Sequence, residues 1–163
     1  MAKTRHTSET PATHWLRQQK IPFGEYTYDY IDHGGAHEAA HQLGLPLHQV
    51  AKTLIMEDEQ ARPLVVLMHG DCEVSTKNLA RQTGAKKIAP CTPKTAQRHS
   101  GYQVGGTSPF ATRKRMPIWI EAGLLDYDTV YLNGGRRGYL ISVAASVLTG
   151  ALGAKPVSVA LGE

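Results

Sequence analysis

Apolar residues recur at two different spacings along the chain, and the change of spacing separates helices from strands. Ala12, Trp15 and Leu16 fall at positions i, i+3 and i+4, which predicts an amphipathic helix. Either Ser8 or Thr10 is placed to cap its N-terminus. The aromatic-rich residues 23–31 alternate loosely between apolar and polar, which predicts that a strand follows the helix.

Two apolar runs at residues 52–56 and 64–69 are separated by a polar turn at residues 58–62. Apolar runs joined by a short polar turn predict an antiparallel hairpin. Similar patterns predict helices at residues 36–43, 47–51, 75–83, 92–99 and 142–149, and strands at residues 86–88, 116–121, 129–132, 140–141 and 156–161.

The predicted helices and strands are interspersed without a regular strand–helix alternation, which favours the α+β class. A length of 163 residues suits one domain. We therefore expect a single α+β domain at residues 10–163, built on a central mixed β-sheet flanked by short helices. Residues 1–9 are polar and are predicted to form a flexible tail.

Composition narrows the classes of protein that this chain could belong to. No run of about 18 apolar residues exists and the first residues lack an apolar stretch, so we expect a cytoplasmic protein with no membrane contact. Cys72 and Cys91 suit that compartment as free thiols, although sequence alone also allows a pair. The net charge of +4 is compatible with a polyanionic partner.

Residues 37–41 spell H-E-x-x-H, the signature of zinc proteases. On a helix this motif places two imidazoles on one face, with Glu38 available as a general base. Here His37 and His41 flank the apolar face towards solvent, and no third ligand occurs at a familiar spacing. We interpret the motif as a polar helix surface, and a zinc hydrolase remains an alternative hypothesis.

Paired glycines occur in two loops, at residues 101–109 and 133–138. Such pairs let the backbone approach a ligand closely and turn N–H groups towards a carboxylate, phosphate or oxyanion. The first loop lacks the G-K-[ST] of a Walker loop, and the second begins with Asn-Gly, a strong hairpin signal. Either loop is also compatible with a plain turn.

Lys52 stands in an otherwise apolar stretch, residues 50–55, and is expected to be partly buried. A half-buried lysine needs an anionic partner, which is either a ligand phosphate or carboxylate or an internal salt bridge. The sequence offers no G-x-S-x-G motif and no convincing Cys–His pair, so no protein nucleophile is indicated. The basic groups at residues 77–87 and 113–115 are typical of a solvated surface.

Four segments occur in a characteristic order: V-A-K-T-L at 50–54, G-A-K-K at 84–87, G-Y-Q-V-G-G-T-S-P at 101–109 and G-G-R-R-G at 134–138. Together they resemble the YbaK/ProX family of aminoacyl-tRNA deacylases, which are related to the editing insertion of prolyl-tRNA synthetase. The resemblance extends from about residue 10 to residue 160. It implies an enzyme that needs no metal or organic cofactor and acts on mischarged tRNA, typically one meant for proline, with prolyl-tRNA synthetase as a potential partner.

The resemblance also implies roles for individual residues. Lys52 would contact the 3′-terminal nucleotide and act in catalysis with the backbone of Gly105 and Gly106. The substrate-binding residues it implies are Tyr28, Thr53, Thr107, Ser108, Pro109, Asn133, Gly134 and Gly135.

Family members that act on cysteinyl-tRNA are thought to let the substrate thiol attack its own ester, which gives a thiolactone, whereas members that act on alanyl-tRNA would use water. Cysteine-specific members often carry a serine and an acidic residue where this chain has Asn133 and Leu140. We expect a small amino acid, most readily Cys from Cys-tRNA(Pro), to be removed. The alternative is a non-catalytic tRNA- or synthetase-binding module of the same fold.

Overall fold

A computed structural model describes residues 9–162, so all but the last residue of the tail predicted at residues 1–9 lies outside the described residues. The α-helices in this range are α1 Pro11–Gln18, α2 Gly35–Leu43, α3 Thr76–Thr83, α4 Pro93–Ser100 and α5 Ala145–Thr149. The strands are β1 Gly24–Thr27, β2 Ala51–Asp58, β3 Pro63–His69, β4 Glu73–Val74, β5 Ile88–Pro90, β6 Ile118–Glu121, β7 Thr129–Asn133, β8 Tyr139–Ala144, β9 Lys155–Val157 and β10 Ala160–Leu161. Short 3₁₀ turns occupy Leu47–Gln49 and Ala122–Asp126.

The largest sheet has five strands in the order β5-β2-β3-β6-β9. Strands β2, β3 and β5 pair in the antiparallel sense, while β6 is parallel to both β3 and β9. An antiparallel sheet of three strands, β1-β8-β7, joins it through a bridge between Val50 and Tyr131. The predicted α+β fold with a mixed sheet and short helices is confirmed.

Local sequence explains where most of the helices begin and end. Thr10, Ser75 and Thr92 cap α1, α3 and α4 by accepting a hydrogen bond from a backbone N–H in the first turn. Gly44 and Gly84 follow α2 and α3 in the left-handed conformation, which glycine adopts without strain. Of the two caps proposed for α1, Thr10 is the one in the described residues.

Strand β3 is the centre of the core, because helices and neighbouring strands cover both of its faces. Val65, Val66, Leu67 and Met68 are all fully buried there. Such a continuous apolar run is typical of a strand that is buried on both sides. No helix in residues 9–162 is long and apolar enough to cross a membrane.

Several predicted elements differ from the structure. The strand expected at residues 86–88 is shifted to Ile88–Pro90, and the helical turn expected at residues 47–51 ends at Gln49, with Ala51 in β2. Strand β1 ends at Thr27 instead of residue 31, because β8 pairs only with Gly24–Thr27. The helix predicted at residues 142–149 begins at Ala145, because residues 142–144 extend β8 against β7. The last predicted strand is divided between β9 and β10, which belong to different sheets.

Candidate active site

A cleft of about 460 Å³ opens where the two sheets meet, beside the beginning of β2. It is lined by α2 and β8, by β4 and the first turn of α3, and by β5 and the first turn of α4. The volume lies in the range of sites for small molecules. Its residues are Tyr28, Gly35, Ala36, Ala39, Val50, Ala51, Lys52, Thr53, Leu54, Ile55, Met56, Glu73, Val74, Thr76, Pro90, Cys91, Pro93, Ala96, Val104, Gly105, Thr107, Asn133 and Leu140.

Lys52 lies on β2 and lines this cleft, with 23% of its side chain exposed. Its Nζ donates a hydrogen bond of 2.5 Å to the carbonyl oxygen of Cys72. The carboxylate of Glu73 lies 3.9 Å from Nζ, but 85% of that side chain is exposed. An ion pair with so exposed a partner contributes little free energy, and the ammonium group keeps an N–H donor that no residue within 9–162 accepts.

The first glycine loop reaches the cleft through Gly105, which is exposed and has φ of +90°. A Cβ at this position would lie 2.9 Å from the ring of Tyr30, so both the backbone conformation and the packing require glycine. Within residues 9–162, the Gly105 N–H has no hydrogen-bond acceptor. This donor is therefore available at the mouth of the cleft.

Gly106 lies behind the lining of the cleft and is buried. Its N–H donates to the carbonyl oxygen of Gln103 at 2.8 Å and is therefore already occupied. A Cβ on Gly106 would lie 2.7 Å from backbone atoms of Arg136 and Arg137. Gly106 thus allows the two glycine loops to touch.

Asn133 ties the two glycine loops together. Its side-chain oxygen accepts hydrogen bonds from the N–H groups of Gly135 and Arg136, at 2.6 and 3.1 Å. Its side-chain amide donates to the carbonyl oxygen of Gly105 at 3.2 Å. Arg137 adds a second connection, because its Nε donates to the carbonyl oxygen of Val104 at 2.9 Å.

Helix α1 and its cap residue contact both glycine loops. The hydroxyl of Thr10 donates to the carbonyl oxygen of Gly134 at 2.6 Å, and the ring of Trp15 stacks on Phe110. The buried Tyr102 closes the first loop, because its hydroxyl donates to the carbonyl oxygen of Phe110 at 2.5 Å. The glycine loops are therefore held in place by packed helices and buried hydrogen bonds.

The structure brings six of the predicted site residues to the cleft and places five behind it. The six are Tyr28, Lys52, Thr53, Gly105, Thr107 and Asn133, and Leu140 joins them. The five that do not line it are Gly106, Ser108, Pro109, Gly134 and Gly135. Those five build the loops: Ser108, for example, is fully buried and accepts a hydrogen bond from the N–H of Phe110.

Two of the six predicted residues that line the cleft have hydroxyl groups that are shielded from solvent. Burial raises the pKa of the Tyr28 hydroxyl above its ordinary value. The Thr53 hydroxyl is shielded from solvent and has no hydrogen-bond partner within residues 9–162. An unpaired buried hydroxyl is costly, so it is a group that a bound polar ligand could stabilise.

Sequence reasoning missed several residues of the cleft. Glu73 and Cys91 come from distant parts of the chain, and Ala36 and Ala39 come from the apolar face of α2. No local signal in the sequence links Glu73 to Lys52, because the two are joined only through the pairing of β2 with β3 and the turn that follows β3. The alanines were recognisable as an apolar helix face, but their position against the cleft was not.

Cys91 borders a polar cluster at the edge of the cleft. His99 is almost fully buried and its Nε2 lies 2.8 Å from a carboxylate oxygen of Glu57. Burial, with the nearby charge of Glu57, raises the pKa of the Cys91 thiol to about 11. The thiol therefore carries its proton at neutral pH and is a poor nucleophile.

The H-E-x-x-H motif lies on α2, with both His37 and His41 exposed. Glu38 accepts a hydrogen bond from the side chain of Gln42 at 2.7 Å. Within residues 9–162, two groups of three side chains are close enough to share a metal ion, and neither contains His37 or His41. The geometry thus fits the interpretation of a polar helix surface.

A cleft with an apolar lining, one cationic side chain and a free backbone donor beside it defines a small-ligand site in an α+β domain. Among solved structures, one provisionally described as a trans-editing enzyme for prolyl-tRNA synthetase has the same fold, with a TM-score of 0.79 at 21% identity over 94% of this chain and 99% of the other. A crystallised hypothetical protein superposes with a TM-score of 0.85 at 23% identity over 93% of this chain and all of the other.

The sequence comparison names the family within that fold. The profile of the aminoacyl-tRNA editing domain matches residues 34–158, and the chain belongs to this family. EbsC of Enterococcus faecalis, provisionally described as a Cys-tRNA(Pro)/Cys-tRNA(Cys) deacylase, is 30% identical over 149 residues, or 91% of each chain. A proline–tRNA ligase of Limosilactobacillus fermentum is 27% identical over 112 residues, which is 64% of this chain and 20% of that enzyme.

Proposed function

We propose that this protein is a trans-editing deacylase that removes a wrongly attached small amino acid, most readily Cys from Cys-tRNA(Pro), from the 3′ end of tRNA. Membership of the editing-domain family supports the reaction class. The description of the relative EbsC supports cysteine as the first amino acid to test. The observation that carries the proposal is the meeting of Lys52, Thr53 and the free Gly105 N–H in one cleft.

The size and lining of the cleft suit the end of the tRNA and not its body. About 460 Å³ accommodates a group of small-molecule size, such as a terminal nucleoside with its amino acid. The inner surface is largely apolar, with Ala39, Ile55 and Leu140 among its residues. Such a lining favours a small, weakly polar side chain over a charged one.

Lys52 would hold a phosphate or a ribose oxygen of the terminal nucleotide. Its ammonium group is fixed by the Cys72 carbonyl, and its only carboxylate neighbour among the described residues, Glu73, is largely exposed. A fixed cation whose charge is weakly compensated attracts an anionic ligand. Positioning of the ester by this contact would supply much of the rate enhancement.

The Gly105 N–H would stabilise the negative charge that develops on the ester carbonyl oxygen. Gly106 was expected to share this task, but because its N–H donates to Gln103, we assign the oxyanion contact to Gly105 alone. With a cysteinyl ester, the substrate sulfur forms a bond to the carbonyl carbon, the ester C–O bond breaks and the tRNA hydroxyl receives the proton. With an alanyl ester, water would replace the thiol and yield free alanine.

The test is a deacylation panel of cysteinyl-, alanyl-, seryl- and prolyl-tRNA with wild type, Lys52→Ala and Lys20→Ala. Lys20 is exposed and lies outside the cleft lining, so Lys20→Ala controls for the loss of one positive charge. We expect wild type and Lys20→Ala to clear a mischarged species at equal rates, and Lys52→Ala to be slower by at least about a hundredfold. A wild type that clears none of the four while still binding tRNA would refute the proposal and favour a binding module.

A further inference from the structure

The charges of this protein are divided unequally along its sequence. Residues 74–120 contain nine Lys and Arg residues and no Asp or Glu. The rest of the chain contains the other nine Lys and Arg residues against all fourteen Asp and Glu. The net charge of +4 is therefore the sum of a segment of +9 and a remainder of −5.

All nine of these cations are exposed, and none forms an ion pair with another residue in the range 9–162. We call the five of them on α4 and at residues 113–115 the basic face: Lys94, Arg98, Arg113, Lys114 and Arg115. By contrast, Arg17 and Arg62, which lie outside the segment, are both paired with carboxylates. Exposed cations without partners are free to neutralise an external polyanion.

The fold places one end of the basic face at the rim of the cleft. Helix α4 contributes Pro93 and Ala96 to the lining, and its two cations are exposed. Lys94 and Arg98 are four residues apart on α4, so they share one side of that helix.

The basic face continues beyond the far end of α4. The N–H groups of Arg113 and Lys114 donate to the carbonyl oxygens of Ser100 and His99, at 2.9 and 3.0 Å. This pairing holds residues 113–115 beside the last turn of α4. An eight-residue helix is about 12 Å long, so these cations lie roughly that far from the cleft.

The α2 side of the cleft carries three carboxylates and one nearby cation, Arg137, which stacks on Tyr30. The segment that leads into α2 carries the exposed Asp29 and Asp32, and α2 itself carries Glu38. A polyanion whose end enters the cleft would therefore be repelled on the α2 side and attracted along α4.

We propose that the basic face, from the rim of the cleft along α4 to residues 113–115, is the surface on which the phosphate backbone of the tRNA docks. The inference rests on the proposed function, because it takes tRNA as the polyanion. It adds the direction of approach: the acceptor end of the RNA lies over α4, and the α2 side stays uncovered. Because the cations of residues 113–115 lie away from the cleft, they bind the body of the tRNA and take no part in the chemistry.

The experiment measures binding of uncharged tRNA at several salt concentrations, for wild type, Lys94→Ala/Arg98→Ala and the control Lys20→Ala. Each phosphate contact contributes roughly 0.7 to the slope of log K against log salt, which corresponds to about a fivefold change in affinity at 0.1 M salt. We expect the double variant to bind about 25-fold more weakly, with a slope reduced by about 1.4, while Lys20→Ala binds like wild type. Thermal unfolding of all three proteins controls for folding, and Lys94→Gln/Arg98→Gln replaces the alanine pair if that pair is destabilised.

Turnover of a minimal fragment, the terminal adenosine esterified with the amino acid, separates this inference from the proposed function. This fragment fits the cleft and carries no phosphate, so the double variant should clear it at the wild-type rate. Unchanged tRNA binding in the double variant, or no tRNA binding by wild type, overturns the docking surface even if the fragment is cleared. Reduced tRNA binding with no clearance of any ester supports the docking surface and refutes the deacylase.

Discussion

Gly106→Ala tests whether contact between the two glycine loops shapes the active site. A Cβ at this position would lie 2.7 Å from the backbone of Arg136 and Arg137, whereas ordinary contacts begin at 3.4 Å. The loops would therefore have to separate by about 0.7 Å, because backbone atoms cannot rotate away as a flexible side chain does. The φ angle of Gly106 is not in the left-handed region, so the expected cost is steric.

The magnitude follows from the hydrogen bonds that this separation would break. It would lengthen the bond from Asn133 to the Gly105 carbonyl from 3.2 to about 3.9 Å, and the bond from Arg137 to the Val104 carbonyl from 2.9 to about 3.6 Å. Each lost bond costs about 0.5–1.5 kcal/mol, and overpacking adds about 1–3 kcal/mol. We therefore expect a loss of about 2–6 kcal/mol in the free energy of unfolding.

The assay is urea unfolding together with the rate of deacylation, with Gly153→Ala as the control. Gly153 has open space around its Cβ position but φ of +80°, so the control measures left-handed strain alone, about 1–2 kcal/mol, and leaves deacylation unchanged. Gly106→Ala should in addition slow deacylation by moving the Gly105 N–H. If Gly106→Ala loses no more stability than Gly153→Ala and retains full activity, the two loops do not depend on each other.

Three further predictions concern the surroundings of the cleft. Asn133→Ala should lower the free energy of unfolding, measured in urea, by about 1–3 kcal/mol. Asn133→Asp still accepts the hydrogen bonds from Gly135 and Arg136, so it should lose less stability, and equal losses would contradict the bridging role. Cys91 should react slowly with iodoacetamide at pH 8, because burial first and Glu57 second raise the pKa of its thiol to about 11. Glu57→Gln should speed this reaction, and an unchanged rate would assign the pKa shift to burial alone. Because the folded thiol keeps its proton where the unfolded thiol loses it, Cys91 should also make stability fall between about pH 9 and pH 11, and this part of the fall should be absent in Cys91→Ala. Tyr102→Phe should cost about 1–2 kcal/mol in thermal unfolding, because it removes the bond to Phe110; a smaller cost would mean that packing alone closes the loop.

Elements that are set by neighbouring residues were predictable from the sequence. The hairpin of β2 and β3 and the helix caps Thr10 and Thr92 follow from local patterns of apolar, polar and capping residues. Residues 142–144 show the opposite case, because their small and apolar residues suit a helix. There the pairing of β8 with β7 overrides local preference and extends the strand.

The site was predictable only where a motif marked it. The order of the motifs led to Lys52 and to both glycine loops, but it did not separate glycines that face a ligand from those that face protein. Gly105 and Gly106 are adjacent, yet only Gly105 lines the cleft with a free N–H. The burial of Gly106 depends on where Arg136 and Arg137 pack, 30 residues further along the chain. Its N–H is taken by the carbonyl oxygen of Gln103 in the same loop.

Under the proposed function, the enzyme would position a reactive ester and supply no nucleophile of its own. Cys91 is the one cysteine among the described residues that line the cleft, and the raised pKa of its thiol keeps that thiol protonated. The hydroxyl of Tyr28 is also held in its protonated form by burial. An aminoacyl ester needs less activation than a peptide, so a fixed cation at Lys52 and one oriented N–H at Gly105 would be sufficient. On this reasoning Lys52→Ala should impair the fixing of the tRNA end, whereas Cys91→Ser should retain deacylation; loss of activity in Cys91→Ser would show that the thiol takes part in the reaction.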